Sequence, residues 1–122
     1  MTPTNDVFSR PVFARVRRLC LALREVSEVP AWGHPTFRVS GKTFCAFEMV
    51  KGRPSVAFRL PESDVVDVTA HEPGFVTPYG RGKWASLWVD GKVDWPVIEK
   101  LLRVSYLTIA PKRLRADELL PP

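Results

Sequence analysis

Pro30 to Phe44 reads PAWGHPTFRVSGKTF, an aromatic-rich loop followed by two short extended runs joined by a tight connection. Thr36 to Val39 alternates polar and apolar residues and ends on a β-branched one, Ser40-Gly41 supplies a two-residue turn, and Lys42 to Met49 resumes as an extended, aromatic-containing run. This is the pattern of a β-hairpin. A turn at Ser40-Gly41 sets Val39 opposite Lys42 and Phe37 opposite Phe44. Phe37, Phe44 and Ala46 are then expected on one face, and Arg38, Thr43 and Cys45 on the other. Upstream, Pro30 and Pro35 keep any helix from running into the strand, and Gly33 admits backbone angles that Trp32 and His34 resist.

Working outward, Val12, Val16, Leu19 and Leu23 recur at helical spacing, which predicts a helix over Pro11 to Leu23 with Ser9 as N-cap and Arg15, Arg17 and Arg18 on a solvated face. After the hairpin, Lys51 to Pro54 forms a polar turn, and Val56, Phe58 and Leu60 alternate as a third strand. Pro61 to Glu72 carries valines that favour strand, but Pro61 at its start and Glu62 and Asp64 in its first turn favour helix, and it is read as a helix ended by Pro73-Gly74. Phe75 to Thr77 and Lys83 to Val89 read as strands. In the second, Trp84, Ser86 and Trp88 share one face and Ala85, Leu87 and Val89 the other. Asp94 caps a final long helix that places Ile98, Leu101, Leu102, Ser105, Tyr106 and Ile109 at helical spacing, and Pro111 ends it before a short basic tail helix. The expected fold is a single α+β domain with an antiparallel sheet of about five strands in the order α-βββ-α-ββ-α.

A chain of 122 residues that is 45% hydrophobic is long enough for one core, burying roughly two-thirds of its unfolded surface. Its apolar runs are far below the roughly 20 residues that span a bilayer. The opening MTPTNDVFSRP lacks the basic and apolar regions of a signal peptide, so a cytoplasmic protein is expected. Cys20 and Cys45 stand in no metal spacing and read as buried small apolar residues; nothing in their spacing supports a disulfide. The net charge of +5 is local, with ten Lys/Arg against four Asp/Glu in residues 1–60 and eight against nine in the remainder. Such an excess either meets a phosphate backbone or keeps the chain soluble.

The motifs of catalysis are missing from the sequence. His34 and His71 stand in different segments, with no ligand spacing to Cys or carboxylates, and no nucleophile elbow, Walker loop or dinucleotide fingerprint occurs. No second catalytic group stands beside His34 in the chain, and neither an enzyme nor a cofactor is expected. Gly80-Arg81-Gly82-Lys83-Trp84 joins two cations to a ring, the pairing used on unpaired bases, although a tight strand connection with Trp84 packed in or at the rim of the core and the cations solvated explains it better.

Taken together, Trp32 to Phe44, Phe75-Val-Thr-Pro-Tyr79 with Gly82-Lys83-Trp84, and Ser105-Tyr106 followed by Ala110-Pro-Lys-Arg-Leu114 resemble the MmcQ/YjbR family of small bacterial proteins, from about Pro11 to Leu120. Ala22-Leu-Arg-Glu-Val26 is similar to the family's ALPxV segment, with Arg24 where proline is usual. The resemblance implies a CyaY-like α+β domain whose sheet is covered on one face by the N- and C-terminal helices. It also implies a double-wing DNA-binding role without cofactor. Carried onto this chain, the wing cations are Arg38, Lys42, Lys51, Arg53, Arg81 and Lys83, with DNA as partner, no membrane and a monomer as the expected state. The alternative is a protein-interaction or small-ligand module using a pocket edged by Trp32, His34, Tyr79 and Trp84.

Overall fold

The computed structural model describes residues 10–119. Three successive hairpins build most of it. Helix α1 (Pro11–Leu21) leads into β1 (Val26–Ala31), β2 (His34–Val39), β3 (Lys42–Val50) and β4 (Arg53–Arg59); α2 (Glu62–Thr69), β5 (Gly74–Val76), β6 (Trp84–Trp88), α3 (Trp95–Ile109) and α4 (Lys112–Leu119) follow. The hairpin turns are Trp32-Gly33, Ser40-Gly41 and Lys51-Gly52, each with positive φ at both residues. That geometry matches the right-handed twist of the flanking strands.

The sheet has the order β1-β2-β3-β4-β6-β5 and is antiparallel throughout. The α+β reading holds, with six strands rather than five. The additional strand is β1, which makes the expected three-strand meander one of four. Trp32-Gly33 reads as loop in the sequence because a bulky aromatic is a poor residue for a left-handed turn position, yet it pairs Ala31 with His34. Helix α1 begins after Arg10 with no side-chain cap and ends at Leu21; the expected cap, Ser9, lies outside the described residues.

All four helices contribute to one side. Phe13, Val16 and Cys20 of α1, Val65 of α2, Ile98, Leu102 and Tyr106 of α3 and Leu114 of α4 bury against Phe37, Val39, Phe44, Phe47, Val56 and Phe58 of the sheet. Phe13 meets Phe47 edge-on at 5.2 Å between centroids, and Phe44 meets Tyr106 at 5.8 Å. The Tyr106 hydroxyl donates to the Arg24 carbonyl at 2.8 Å, which satisfies a buried polar group. Asp94 caps α3 as expected, accepting from the Val97 amide at 3.3 Å. Cys20 and Cys45 are free and buried; burial, with Cys20 as hydrogen-bonding neighbour, pushes the Cys45 thiol well up.

One detail of register carries through to function. Val39 pairs with Lys42 and Arg38 with Thr43 as expected, but a β-bulge follows, and Phe37 pairs with Cys45 rather than Phe44. Two consecutive residues, Phe44 and Cys45, therefore both face the helices. Beyond the bulge the alternation is reversed, so Ala46 and Glu48 lie on the open face and Cys45 and Phe47 in the core. The expected faces of Cys45 and Ala46 are thus exchanged. The two buried aromatics Phe44 and Phe47 stand three residues apart, and both reach the core only if one residue is inserted into the ladder.

Candidate functional site

The face away from the helices carries the site. Thr36, Ala46, Ala57 and Ser86 follow one another across β2, β3, β4 and β6 as a row of small side chains. Longer side chains flank this row. Arg38, Thr43, Arg59 and Trp84 stand toward one end of the strands, and His34, Glu48, Ser55 and Trp88 toward the other. A floor of small residues between tall ones is concave. The connection after β5 folds across it, with Thr77 and Ser86 hydroxyls 2.8 Å apart and the Tyr79 hydroxyl donating to Glu48 on β3. That crossing accounts for the complete burial of Ser55, Ala57 and Ser86 on an otherwise uncovered face.

The result is a cavity of about 580 Å³ walled by the Trp32, Tyr79 and Trp84 rings, with Thr36, Ala46 and Glu48 in its floor and Arg38 and Thr43 at one end. Its size is that of a small-molecule site, roughly 300–1,000 Å³. Tyr79 and Trp84 stand 6.1 Å apart between centroids at 57°. Trp32 is 93% exposed, the most solvated large apolar side chain among the described residues. Gly80 is required here: a Cβ on it would sit 2.3 Å from Cδ1 of Trp84.

Glu48 is the centre of the site. Its side chain is only 6% exposed, and its Oε2 receives the Tyr79 hydroxyl and lies 3.1 Å from His34 Nε2. Its Oε1 is buried and has no hydrogen-bond partner among the described residues. Burial first, and then the bond to Glu48, pushes the Tyr79 phenol above its ordinary value, so the hydroxyl remains a donor to the carboxylate. A buried acceptor without a donor is costly, and buried acceptors are rarely left so. The Arg38 Nε donates to the Thr36 hydroxyl at 3.4 Å, and Thr36 donates to the Val29 carbonyl.

The four pocket residues expected from the sequence, Trp32, His34, Tyr79 and Trp84, all line this one cavity. Glu48 was not among them. Its signal in the sequence is a single carboxylate inside the apolar run Phe44 to Val50, a charge that must find partners if the strand is buried. The fold brings Glu48 of β3 to 3.1 Å from His34, a neighbour that spacing along the chain does not reveal.

The six expected wing cations do not form one surface. Arg38 lines the cavity, and Arg81 and Lys83 are exposed in the loop next to Trp84. Lys42 pairs with Val39, on the helix side of the sheet. Lys51 and Arg53 stand at the opposite end of β3 from Lys42, about 27 Å along a nine-residue strand. Arg53 is already engaged, bound to Asp90 at 2.6 and 3.1 Å and lying 4.0 Å over the Trp88 ring, which itself stacks on Phe75. The register adds a cation that sequence reading left out: Arg59 pairs with Trp84 on the open face. Similarly, Arg15 lies 4.2 Å over Trp95 and Arg17 binds Glu28, so two of the three α1 arginines are engaged rather than simply solvated.

A model of the YjbR family matches residues 21–108. The chain belongs to the YjbR family. Among solved structures, this YjbR-family chain is similar to the Deinococcus radiodurans protein DR2400, which carries the domain DUF419. The TM-score is 0.69 at 18% identity, over 89% of this chain and 88% of that one. A Pseudomonas syringae protein follows with TM-score 0.57 at 12% identity, over 67% and 85% of the two chains. A Bacillus subtilis protein of the DUF1801 family gives 0.54 at 17% identity, over 80% and 76%. At these identities the likeness is one of fold. No curated protein sequence matches the chain. No helix among the described residues is long and apolar enough to cross a membrane.

Proposed function

We propose that the domain is a nucleic-acid-binding module that holds an unpaired base in the aromatic cavity and the adjoining phosphates on the cations at its Trp84 end, without a catalytic step. The single observation that carries this is the cavity walled by the Trp32, Tyr79 and Trp84 rings with Arg38 at one end. Stacking on such rings holds any base by its face, and contributes about 1–3 kcal/mol per base. Arg38, Arg59, Arg81 and Lys83 supply positive charge at one end of the cavity, and none of them is in an ion pair among the described residues. A net charge of +5 favours a phosphate-bearing partner over an organic cation.

This modifies the double-wing expectation, in which hairpin cations grip a duplex. Contacts from all the wing cations to five or six duplex phosphates give a log-log salt slope of about minus five, whereas four contacts to a single strand give about minus three. Fluorescence anisotropy with labelled single-stranded and duplex DNA across a salt series separates the two. Tighter single-strand binding with the shallower slope is expected. Absence of binding to either at low micromolar protein in about 50 mM salt removes the proposal. A second reading, a free heteroaromatic ligand, is supported by the cavity volume alone, and it predicts a melting shift with mononucleotides and none with strands.

A further inference from the structure

We infer that the ligand is a continuous single strand held by two adjacent bases, with Trp32 stacked between the base in the cavity and its neighbour outside, and with Lys51 on a phosphate beyond; this rests on the base-binding reading above and names a strand rather than a free nucleotide. The exposure of Trp32 leads to it. The ring lines the cavity yet is 93% exposed, and among the described residues no other ring or cation packs on it. One face is offered to the cavity, and the other is bare.

A tryptophan left so open contributes little to the core. Its backbone is nevertheless held at φ 50°, a left-handed conformation that a bulky side chain disfavours. Ala31 pairs with His34 across the turn, so the ring is carried on a short hairpin without slack between its strands. A costly conformation kept at an exposed aromatic points to a ligand contact. Successive bases of an unpaired strand stack on such rings whatever their sequence, because every base has a π-face to offer.

The cations mark the path of the strand. Strands β2 and β3 are antiparallel, so the Trp32-Gly33 turn before β2 and the Lys51-Gly52 turn after β3 project from the same end of the sheet. The two hairpins are centred two strand spacings apart, about 10 Å. Lys51 is exposed and in no ion pair among the described residues. Arg38, Arg59, Arg81 and Lys83 stand at the other end, by Trp84. Positive charge at both ends of the cavity suits a chain with a phosphate on each side of the held base. A mononucleotide, with one phosphate group, reaches only one end.

The test uses the full chain and labelled strands of equal length whose sugars are abasic except for two adjacent thymines, two thymines set far apart, or none. All three carry the same phosphates, and the separated pair offers the cavity as many bases as the adjacent pair. By anisotropy the adjacent pair is expected to bind at least about 5-fold tighter than the separated pair, the low end of one base's stacking. Trp32→Asn, which suits the turn, should make the two strands equal. Lys51→Asn also suits its turn, and should make the salt slope for the adjacent-pair strand shallower by about 0.7. Equal binding of the adjacent and separated pairs, or a preference that Trp32→Asn leaves unchanged, overturns the two-base inference, while tighter binding of both than of the fully abasic strand keeps base binding standing. An unchanged salt slope in Lys51→Asn overturns the path past Trp32. If the three strands bind alike, or none binds, the base-binding reading falls and the two-base inference with it.

Discussion

Trp32→Asn should stabilise the protein while weakening its binding. Trp32 occupies the first position of the β1–β2 turn at φ 50°, and its ring is 93% exposed, so the fold gains little from it. A left-handed conformation costs an ordinary residue about 1–2 kcal/mol, and Asn before Gly is the preferred pair for this turn. Substitution should recover about 1 kcal/mol, which for a chain of this size raises Tm by about 3–6 °C. Loss of one stacking wall removes about 1–3 kcal/mol of base affinity, a roughly 5- to 150-fold rise in Kd. Thermal denaturation and anisotropy with a labelled single strand, run on the same two proteins, measure both. A fall in Tm would refute the reasoning by showing that the ring packs in the fold. A higher Tm with unchanged binding would show that Trp32 is no part of the site.

Gly80→Ala should lower both stability and binding, since a Cβ there meets the Trp84 ring at 2.3 Å and φ is +93°; a shifted tryptophan emission together with a lower Tm is the expected signature, and an unchanged spectrum contradicts it. Asp94→Ala removes the α3 cap and should lower the urea midpoint by the equivalent of about 1 kcal/mol with an unchanged m-value. The side-chain bond to Arg113 holds the Glu25 carboxyl below its ordinary value, and that to Arg53 does the same for Asp90. A lowered folded-state value contributes stability that is present above the unfolded carboxylate range, about pH 4, and is lost as pH falls below that range through the lowered folded value. Both pairs are exposed, so the effect is small and screened by salt. The Glu25→Gln, Asp90→Asn double variant should show a flatter acid limb of Tm against pH in low salt, and no difference from the parent protein in about 1 M salt.

Much of the architecture is written in local pattern. The helical spacing of Ile98 to Ile109, the cap at Asp94 and the alternation of Trp84 to Val89 each follow from neighbours along the chain, and the structure keeps all three. The strand β1 was hidden for a local reason, because Trp32-Gly33 is a turn made by a residue that disfavours it. The register past Phe37 was hidden for a nonlocal one. Whether Phe44 and Cys45 both face inward depends on how Phe44 meets Tyr106 on a helix more than sixty residues later in the chain, and no period-two rule contains that.

The candidate site divides along the same line. By itself the chain determined which rings are available, where its turns fall and that its charge is basic, since composition and short-range spacing carry those properties. Only the tertiary structure decided that Trp32, His34, Tyr79 and Trp84 surround one cavity and that Glu48 sits in its floor beside His34 and Tyr79. It also decided that the wing cations separate between two ends of a strand. The physical reason is the bulge: one inserted residue reverses the alternation of β3, turning Glu48 from the core toward the open face, where His34 of β2 and Tyr79 of the crossing loop give it partners.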